Sequence, residues 1–345
     1  MTEEAGPPRR RPTLDDVAVA AGVSRAMVSI VLRGAPGSRA QTREKVLAAA
    51  KQVGYRPDAR ARLLASGSSR QIGVVVGMSG RFHAELLDGL YRAAGAVGQE
   101  LILSALTPHR DERVAVETLL DFRCEAVILL GPGLGGVPVL AGRLPVTVVG
   151  WRVADPAVDV VRSSDTEGMR ALTGYLAGLG HRRIAHVDGG SGPIVAARRR
   201  AYRAALDGSG LGDGPVLRGG DSMEAGVRAA RTLLELPELP TAVIGFNDDV
   251  AAGLVEGLRA RGLRVPDDVS VSGWDDSPLA GLPERGLTTL RQDPAELARL
   301  AVARSVDRLR GRRPVPREVV LSPELVVRGS TGPAAVGVRR GSRRG

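Results

Sequence analysis

The side chains that most often act as nucleophiles or metal ligands are few and scattered in this sequence. The single cysteine, Cys124, excludes an internal disulfide and a multi-cysteine zinc site. The segments Ser163-Ser164-Asp165 and Ser191-Gly192 have no credible histidine partner, so the sequence does not support a hydrolase. No spacing pairs the histidines as metal ligands, at His83, His109, His181 or His186. We therefore expect no metal, no cofactor and no enzymatic activity.

One glycine pattern has the spacing of a phosphate-binding turn. Gly131, Gly133 and Gly136 follow an apolar run as G-x-G-x-x-G. That fingerprint belongs to the first strand-helix turn of a nucleotide-binding unit, whereas here it follows a third predicted strand. Pro138 and the short run to Pro145 leave little helix to present backbone amides to a phosphate. We interpret the pattern as a loop.

The positive charge of the chain is concentrated at its ends. Residues 1–70 carry 13 basic and 6 acidic side chains, a net charge of +7, and residues 334–345 carry four arginines and no acid. The long middle of the chain has a net charge of −1. A basic block of this kind favours a polyanionic partner. A solvated tail is the alternative, and structure signals within residues 13–70 argue against it.

The basic block contains the pattern of two short helices joined by a tight turn. Thr13 is placed to cap an apolar-periodic run that ends at Gly22. Ser24 is placed to cap a second helix over 25–32, and Val23 fills the joint between the helices. This arrangement predicts a helix-turn-helix.

A third helix is predicted to complete this small domain. The segment Ser38-Arg39-Ala40-Gln41 is expected to cap it, and it runs to about Val53 with three side chains facing inward, namely Val46, Leu47 and Ala50. Three helices inside a basic block favour DNA binding.

Beyond residue 70, short apolar runs alternate with helical patterns. This alternation is typical of a buried parallel sheet covered by helices on both faces. Strands are expected at 72–76, 101–103, 126–130, 146–149, 183–187, 241–244 and 269–272, and helices near 83–97, 111–122, 165–179, 196–207, 223–236 and 247–261. The pattern restarts near residue 183, so two α/β lobes with a ligand cleft between them are expected.

Secretion and membrane insertion are not expected. Residues 1–11 are polar and basic with no apolar core of a signal peptide, and no run reaches about 18 apolar residues. We expect a cytoplasmic protein without a membrane partner. A solute-binding protein or an α/β enzyme with an unrelated basic head remains the alternative.

The N-terminal segments resemble the DNA-binding domain of the LacI/GalR transcriptional regulators over about 50 residues. The resemblance rests on the order and spacing of Leu14-Asp15-Asp16-Val17-Ala18, Ala21-Gly22-Val23-Ser24, Val28-Ser29, Thr42-Arg43-Glu44-Lys45-Val46 and Gly54-Tyr55-Arg56-Pro57. It implies that the second helix lies in the major groove of operator DNA, with contacts from Ser24, Arg25, Ala26, Ser29 and Ile30.

The resemblance gives two of these residues a base-reading role. Arg25 can bond two acceptors of guanine, and Ala26 can meet the methyl group of thymine. Ile30 stands where many members have arginine, and Arg33 where many have asparagine, so no known operator transfers to this chain. A partly buried helix residue is the alternative for Ile30.

Residues 58–65 resemble the hinge helix of this family, which folds on operator DNA and inserts a leucine from each subunit into the minor groove. Leu64 occupies that position, and Arg60 and Arg62 can hold the adjacent backbone. Eight residues are too few for a stable isolated helix, so order here should depend on DNA and on a second subunit. A plain linker is the alternative.

The resemblance continues to about residue 331, through landmarks of the effector domain. These are Leu179-Gly180-His181-Arg182-Arg183-Ile184-Ala185, Phe246-Asn247-Asp248, Val265-Pro266-Asp267-Asp268-Val269-Ser270-Val271, Gly273-Trp274-Asp275-Asp276, Leu287-Thr288-Thr289-Leu290-Arg291-Gln292 and Leu325-Val326-Val327-Arg328-Gly329-Ser330. The implied fold is a two-lobed, periplasmic-binding-protein-like domain of doubly wound parallel sheets.

The resemblance implies that five polar residues line the effector cleft, because their positions match those of the family's cleft residues: Asp165, Arg198, Asn247, Asp248 and Asp275. These side chains suit the vicinal hydroxyls of a sugar or sugar derivative. Asp248 sits at a strand-helix junction, where a helix cap is the alternative. Aromatic residues make up only 3% of the chain, Ser222 stands where members often have an aromatic residue, and Phe82 is the candidate stacking surface. A protein corepressor and a nucleobase-like ligand remain alternative effectors.

The expected organisation is α/β with an N-terminal helical head. We expect a disordered basic arm (1–12), a helix-turn-helix domain (13–57), a hinge helix and linker (58–70), an effector and dimerisation domain (71–332) and an arginine-rich tail (333–345). Lobe 1 covers about 71–161 and 292–319, and lobe 2 about 162–290 and 320–330. The expected function is a transcriptional repressor that binds a palindromic operator as a homodimer under allosteric control. The tail has no leucine heptad, so a tetramer is not expected.

Overall fold

The computed structural model describes residues 10, 12–33, 35–55, 68–77, 81–107, 109–131, 140, 142–284 and 286–335. The chain forms two compact units, Met1–Ser69 and Arg70–Gly345. The first unit, here called the head, contains α1 (Leu14–Ala21), α2 (Arg25–Leu32) and α3 (Ala40–Gln52).

The local signals at the first two helices act as predicted. The Thr13 hydroxyl accepts a hydrogen bond from the amide of Asp16, and the Asp16 carboxylate accepts one from the amide of Thr13 at 2.7 Å. Gly22 ends α1 in the left-handed conformation (φ 64°), which glycine adopts without steric cost. The Ser24 hydroxyl accepts from the amide of Met27 at 3.2 Å and so caps α2.

Two expectations for α3 are wrong. Its N-cap is Arg39, which makes no side-chain capping bond, and the Ser38 hydroxyl is buried without a partner in the described part of the head. Leu47 is 51% exposed rather than inward-facing. The buried stripe runs along Val46, Ala49 and Ala50, at the i, i+3, i+4 spacing of one helix face, and Leu47 lies outside it.

The second unit is built from parallel strands and covering helices. The strands are β1 (Gln71–Gly77), β2 (Glu100–Leu106), β3 (Ala126–Leu130), β4 (Val146–Val149), β5 (Val158–Ser163), β6 (Ile184–Asp188), β7 (Val216–Arg218), β8 (Ala242–Ile244), β9 (Ser270–Ser272), β10 (Thr289–Arg291), β11 (Glu318–Leu321) and β12 (Glu324–Val326). The helices are α4 (Arg81–Ala96), α5 (Glu112–Asp121), α6 (Asp165–Gly178), α7 (Pro193–Gly208), α8 (Met223–Glu235), α9 (Asp248–Arg259) and α10 (Pro294–Leu309).

Lobe 1 is a six-stranded parallel sheet in the order β2-β1-β3-β4-β5-β11. Apolar residues of α4 and α10 cover one face of β1 and β3, and α5 covers the other face. Lobe 2 is a four-stranded parallel sheet in the order β7-β6-β8-β9, with α8 and α9 on one face and α6 and α7 on the other. Both sheets are therefore covered on two sides, as the apolar runs predicted.

The chain crosses between the lobes three times. The first crossing joins β5 to α6, the second leads from lobe 2 through β10 into α10, and the third joins β11 to β12. β10 and β12 pair antiparallel, with Leu290 opposite Leu325. In this structure the lobe 1 strands extend to Ser163 and Leu321, two residues past each expected boundary.

Candidate nucleic-acid interface and interlobe cleft

Five of the eight residues assigned to DNA contacts lie at the N-cap and on the first two turns of α2. Ser24, Arg25 and Ala26 are exposed, and Ser29 and Ile30 are partly buried. The Arg33 side chain donates to the carbonyl of Ser29 at 3.1 Å, so it folds back along its own helix. The exposed start of α2 is thus a surface that carries a guanidinium and a small apolar side chain next to each other.

An acid from α1 meets this surface. Nη1 of Arg25 lies 3.6 Å from Oδ2 of Asp15, and 68% and 64% of the two side chains are exposed. The remaining residues of the assigned interface, Arg60, Arg62 and Leu64, lie outside the described residues, as do Gly133 and Gly136. The hinge helix therefore stays a prediction.

A cavity of about 140 Å³ separates the two lobes of the second unit. The structure brings together five residues of the expected ligand set around it: Phe82, Asp165, Arg198, Asn247 and Asp275. The lobe 1 wall is mostly apolar, because Phe82, Leu86, Leu130, Val149 and Leu297 line it. The lobe 2 wall carries most of the polar groups. Asp165, Asn247 and Asp275 follow the carboxyl ends of β5, β8 and β9, where open α/β sheets bind ligands.

Arg198 of α7 is the centre of the polar wall. It is only 5% exposed, and its Nε donates to Oδ1 of Asp165 at 3.1 Å. Its Nη1 donates to the carbonyl of Phe246 at 2.6 Å, and its guanidinium carbon lies 3.9 Å from the ring centroid of Trp274. The guanidinium is therefore fixed in the free protein, and its Nη2 has no partner among the described residues.

Asp275 occupies a strained backbone position beside Arg198. Its φ of 112° lies in a region that L-residues rarely adopt, and such strain is concentrated at functional sites. Oδ1 of Asp275 accepts from Nε2 of Gln292 at 2.8 Å. Burial, and then the neighbouring carboxylate of Asp248, raise the pKa of Asp275 well above its usual range. A carboxylate at this position accepts a hydrogen bond from a ligand hydroxyl, and the raised pKa makes it easier for the group to take up a proton and donate as well.

Asp248 does not line the cavity, and it does not cap the helix either. Its carboxylate is directed into lobe 2, where it accepts from the Thr289 hydroxyl at 2.6 Å and from the amide of Ser277 at 2.7 Å. Burial raises the pKa of Asp248 to about 6. Ser277 follows Asp275 by two residues, and the Thr289 hydroxyl also accepts from the amide of Asp276 at 3.4 Å. Asp248 therefore supports the segment that carries Asp275.

Asn247 is the residue that caps α9. Its Oδ1 accepts from the amide of Val250 at 2.8 Å, and its Nδ2 donates to the carbonyl of Asp221 at 2.9 Å. Asn247 still lines the cavity, so it fixes the helix start and keeps one N–H for a ligand. Ser222 caps α8 through a bond from the amide of Ala225 and does not line the cavity, whereas its neighbour Asp221 does.

Sequence reasoning missed several groups around the cavity. The cavity is also lined by Phe246, His83, Ser191 and Gln292. The ring of Trp274 packs against the guanidinium of Arg198. His83 stands next to Phe82, and Phe246, Trp274 and Gln292 stand inside the family motifs, so adjacency to those residues is the available signal. Ser191 stands out in the sequence only as a candidate nucleophile without a histidine partner. In the described residues no group of histidine, cysteine and acidic side chains is arranged to hold a metal, and no helix is long and apolar enough to cross a bilayer.

Comparisons with known proteins match both units. The model of bacterial regulatory proteins of the lacI family matches residues 13–58, and the model of the periplasmic binding protein-like domain matches residues 173–331. The HTH-type transcriptional repressor PurR of Vibrio campbellii is 31% identical over 325 residues, which cover 92% of this chain and 97% of the relative. The ribose operon repressor of Escherichia coli K12 is 32% identical over 328 residues, covering 92% and 99%. The crystal structure of the lac repressor dimer bound to operator and the anti-inducer ONPF has a TM-score of 0.85 at 29% identity, covering 94% of this chain and 100% of that chain.

Proposed function

This chain is a DNA-binding transcriptional regulator of the LacI family, and we propose that it represses transcription as a homodimer on a palindromic operator, controlled by a sugar or sugar derivative in the interlobe cleft. The observation that carries the effector assignment is the fixed Arg198 guanidinium beside Asp165 and Asp275. We propose that the chain acts in the cytoplasm, where its DNA target lies, and by binding rather than by catalysis.

The proposed DNA mechanism divides readout from deformation. Arg25 reads a guanine edge in the major groove, and Ala26 contacts a thymine methyl. Ser24 and Ser29 contact the adjoining backbone, and Ile30 adds apolar contact only. Exposure of the first turn of α2 supports this proposal, because those side chains are not engaged in the core of the head.

The hinge completes the proposed complex. Leu64 from each subunit unstacks a base step in the minor groove, while Arg60 and Arg62 hold the neighbouring phosphates. Two heads related by a two-fold axis then fit two half-sites of a palindrome. We propose the dimer as the operator-binding assembly, because its two-fold axis matches the symmetry of a palindrome.

The proposed effector mechanism uses the difference between the two walls of the cavity. A hydroxylated face of the ligand bonds to Arg198, Asn247 and Asp275 on lobe 2. The apolar wall of lobe 1, including Phe82, then packs on the C–H face of the ring and excludes water. Binding to both lobes favours one interlobe arrangement over the other, which is the differential affinity that allostery needs.

Calorimetry on the full-length chain tests the effector class. The panel contains neutral pentoses and hexoses, their phosphates, and free nucleobases. We expect a neutral sugar to bind and the phosphates to bind poorly, because the carboxylates of Asp165 and Asp221 face the cavity against one arginine. Binding of a nucleobase alone would replace the sugar assignment, and binding of no member would favour a protein corepressor.

A further inference from the structure

The ion pair between Asp15 and Arg25 lies on the exposed surface of the head, at the start of α2. The turn at Gly22 brings the start of α1 and the start of α2 together, so that the two charged groups lie 3.6 Å apart on an exposed surface. Within the described part of the chain neither side chain has another partner. Asp16, by contrast, is engaged by Thr13 and by Arg10.

The stability of the head does not explain this pair. Exposed ion pairs contribute little to folding, because solvent screens them and ordering two side chains costs entropy. DNA affinity does not explain it either, since a carboxylate beside the recognition helix repels phosphates. A DNA sequence that presents a hydrogen-bond donor to the Asp15 carboxylate would offset this repulsion.

The major groove supplies such a donor next to guanine. The G·C pair presents the O6 and N7 acceptors of guanine side by side with the N4 amino group of cytosine. A guanidinium matches the first two groups, and a carboxylate accepts from the third. Adjacent positive and negative heads, as Arg25 and Asp15 provide, are complementary to that edge.

We propose that Asp15 and Arg25 together read one G·C base pair, with Arg25 bonding to guanine and Asp15 accepting from the cytosine amino group. The inference rests on the base-reading role of Arg25 in the proposed function and assigns a second reader to it. Asp15 also lowers affinity for other sequences, where its charge meets no donor. The pair thus lowers the affinity for DNA in general and increases the discrimination between base pairs.

The test uses the full-length chain on duplexes. The operator is first selected from a randomised library, and binding is then measured to every single base-pair variant of one half-site and to a scrambled duplex. The variants are Asp15→Asn, Arg25→Ala, their combination, and Glu44→Gln. Glu44 is an exposed acid on α3, so its variant removes the same charge from the same unit.

We expect Asp15→Asn and Glu44→Gln to raise scrambled-duplex affinity by similar factors. Only Asp15→Asn should reduce discrimination, by about tenfold, and only at the base pair that Arg25→Ala identifies. The combined variant should lose no more discrimination there than Arg25→Ala alone. Asp15→Ala, checked for a cooperative melting curve, repeats the test without an amide.

Two negative outcomes are distinguishable. Arg25→Ala could remove discrimination at one base pair while Asp15→Asn behaves like Glu44→Gln at every base pair. The joint readout is then wrong, and Arg25 reads its base pair without Asp15. If Arg25→Ala removes discrimination at no base pair, the base-reading assignment in the proposed function fails, and the joint readout fails with it.

Discussion

The head and the interlobe cleft present their functional side chains in opposite ways. In the head, Arg25 and Asp15 are mostly exposed, and among the described residues each pairs with the other alone. In the cleft, Arg198 is 5% exposed and already holds Asp165, the Phe246 carbonyl and the face of Trp274. A macromolecular partner must order the first pair, whereas the protein has already ordered the second group. In the head, the entropy lost in ordering these side chains therefore reduces the free energy of DNA binding. In the cleft, the same loss has already occurred during folding.

The largest expected effect follows from this preorganisation. Arg198→Ala removes two or more charge-assisted bonds to the ligand and leaves Asp165 buried without its partner. We expect sugar affinity to fall by about 1.5–3 kcal/mol or more, with operator affinity in the absence of sugar unchanged. Calorimetry and operator binding measure the two quantities.

Arg200→Ala is the matched control for that change. Arg200 lies on the same helix but is exposed, so its loss should leave sugar affinity unchanged. Equal sugar affinity in the wild type and in Arg198→Ala would contradict the assignment of the cleft.

The hinge gives the next largest effect, because its order is expected to come from DNA. Leu64→Ala should reduce operator bending and specific affinity together, since wedge contacts no longer offset the cost of unstacking. A bending assay on operator and scrambled duplex measures this. If bending and specificity are both unchanged, residues 58–65 are a linker only.

A smaller effect is expected from Asp248, the buried residue that supports the segment carrying Asp275. The pKa of Asp248 is about 6 in the folded chain, above its usual value near 3.8, because the carboxyl is buried. The folded state therefore keeps this proton up to a higher pH than the unfolded state. The stability contributed by this proton is present below about pH 4 and is lost as the pH rises through about 6.

Urea unfolding of the wild type and of Asp248→Asn between pH 4 and pH 7 checks this sign. The free energy of unfolding of the wild type, relative to the variant, should decline as the pH rises. Asp207→Asn, a change at an exposed position, should show no such trend. A wild-type-minus-Asp248→Asn difference that stays constant over this interval would show that Asp248 titrates normally.

The same contrast explains which features the sequence predicts. The caps at Thr13 and Ser24 depend on residues three positions away, so a local pattern is sufficient to predict them. β5 was missed because Asp159 interrupts its apolar run. That aspartate is fully buried only because Arg308, 149 residues later, binds both of its oxygens at 2.6 and 3.0 Å.

The cleft shows the limit of position matching. Asp165, Arg198, Asn247 and Asp275 do meet around one cavity. The family resemblance places Asp248 in the same set, yet its carboxylate accepts from Thr289 and Ser277 instead. The direction of a side chain at a helix start depends on long-range partners, which a linear motif does not show.

The proposed function requires that effector binding in the cleft changes the affinity of the head for operator DNA. The direct measurement is the operator affinity of the full-length chain with and without a saturating concentration of the sugar that binds tightest in the calorimetric panel. We expect the operator Kd to change by about fivefold or more, which is typical of allosteric coupling. The affinity of the sugar should change by the same factor when operator is present, and Arg198→Ala should show no change at the same sugar concentration. An operator Kd that stays within twofold in the wild type at saturating sugar would contradict the claim.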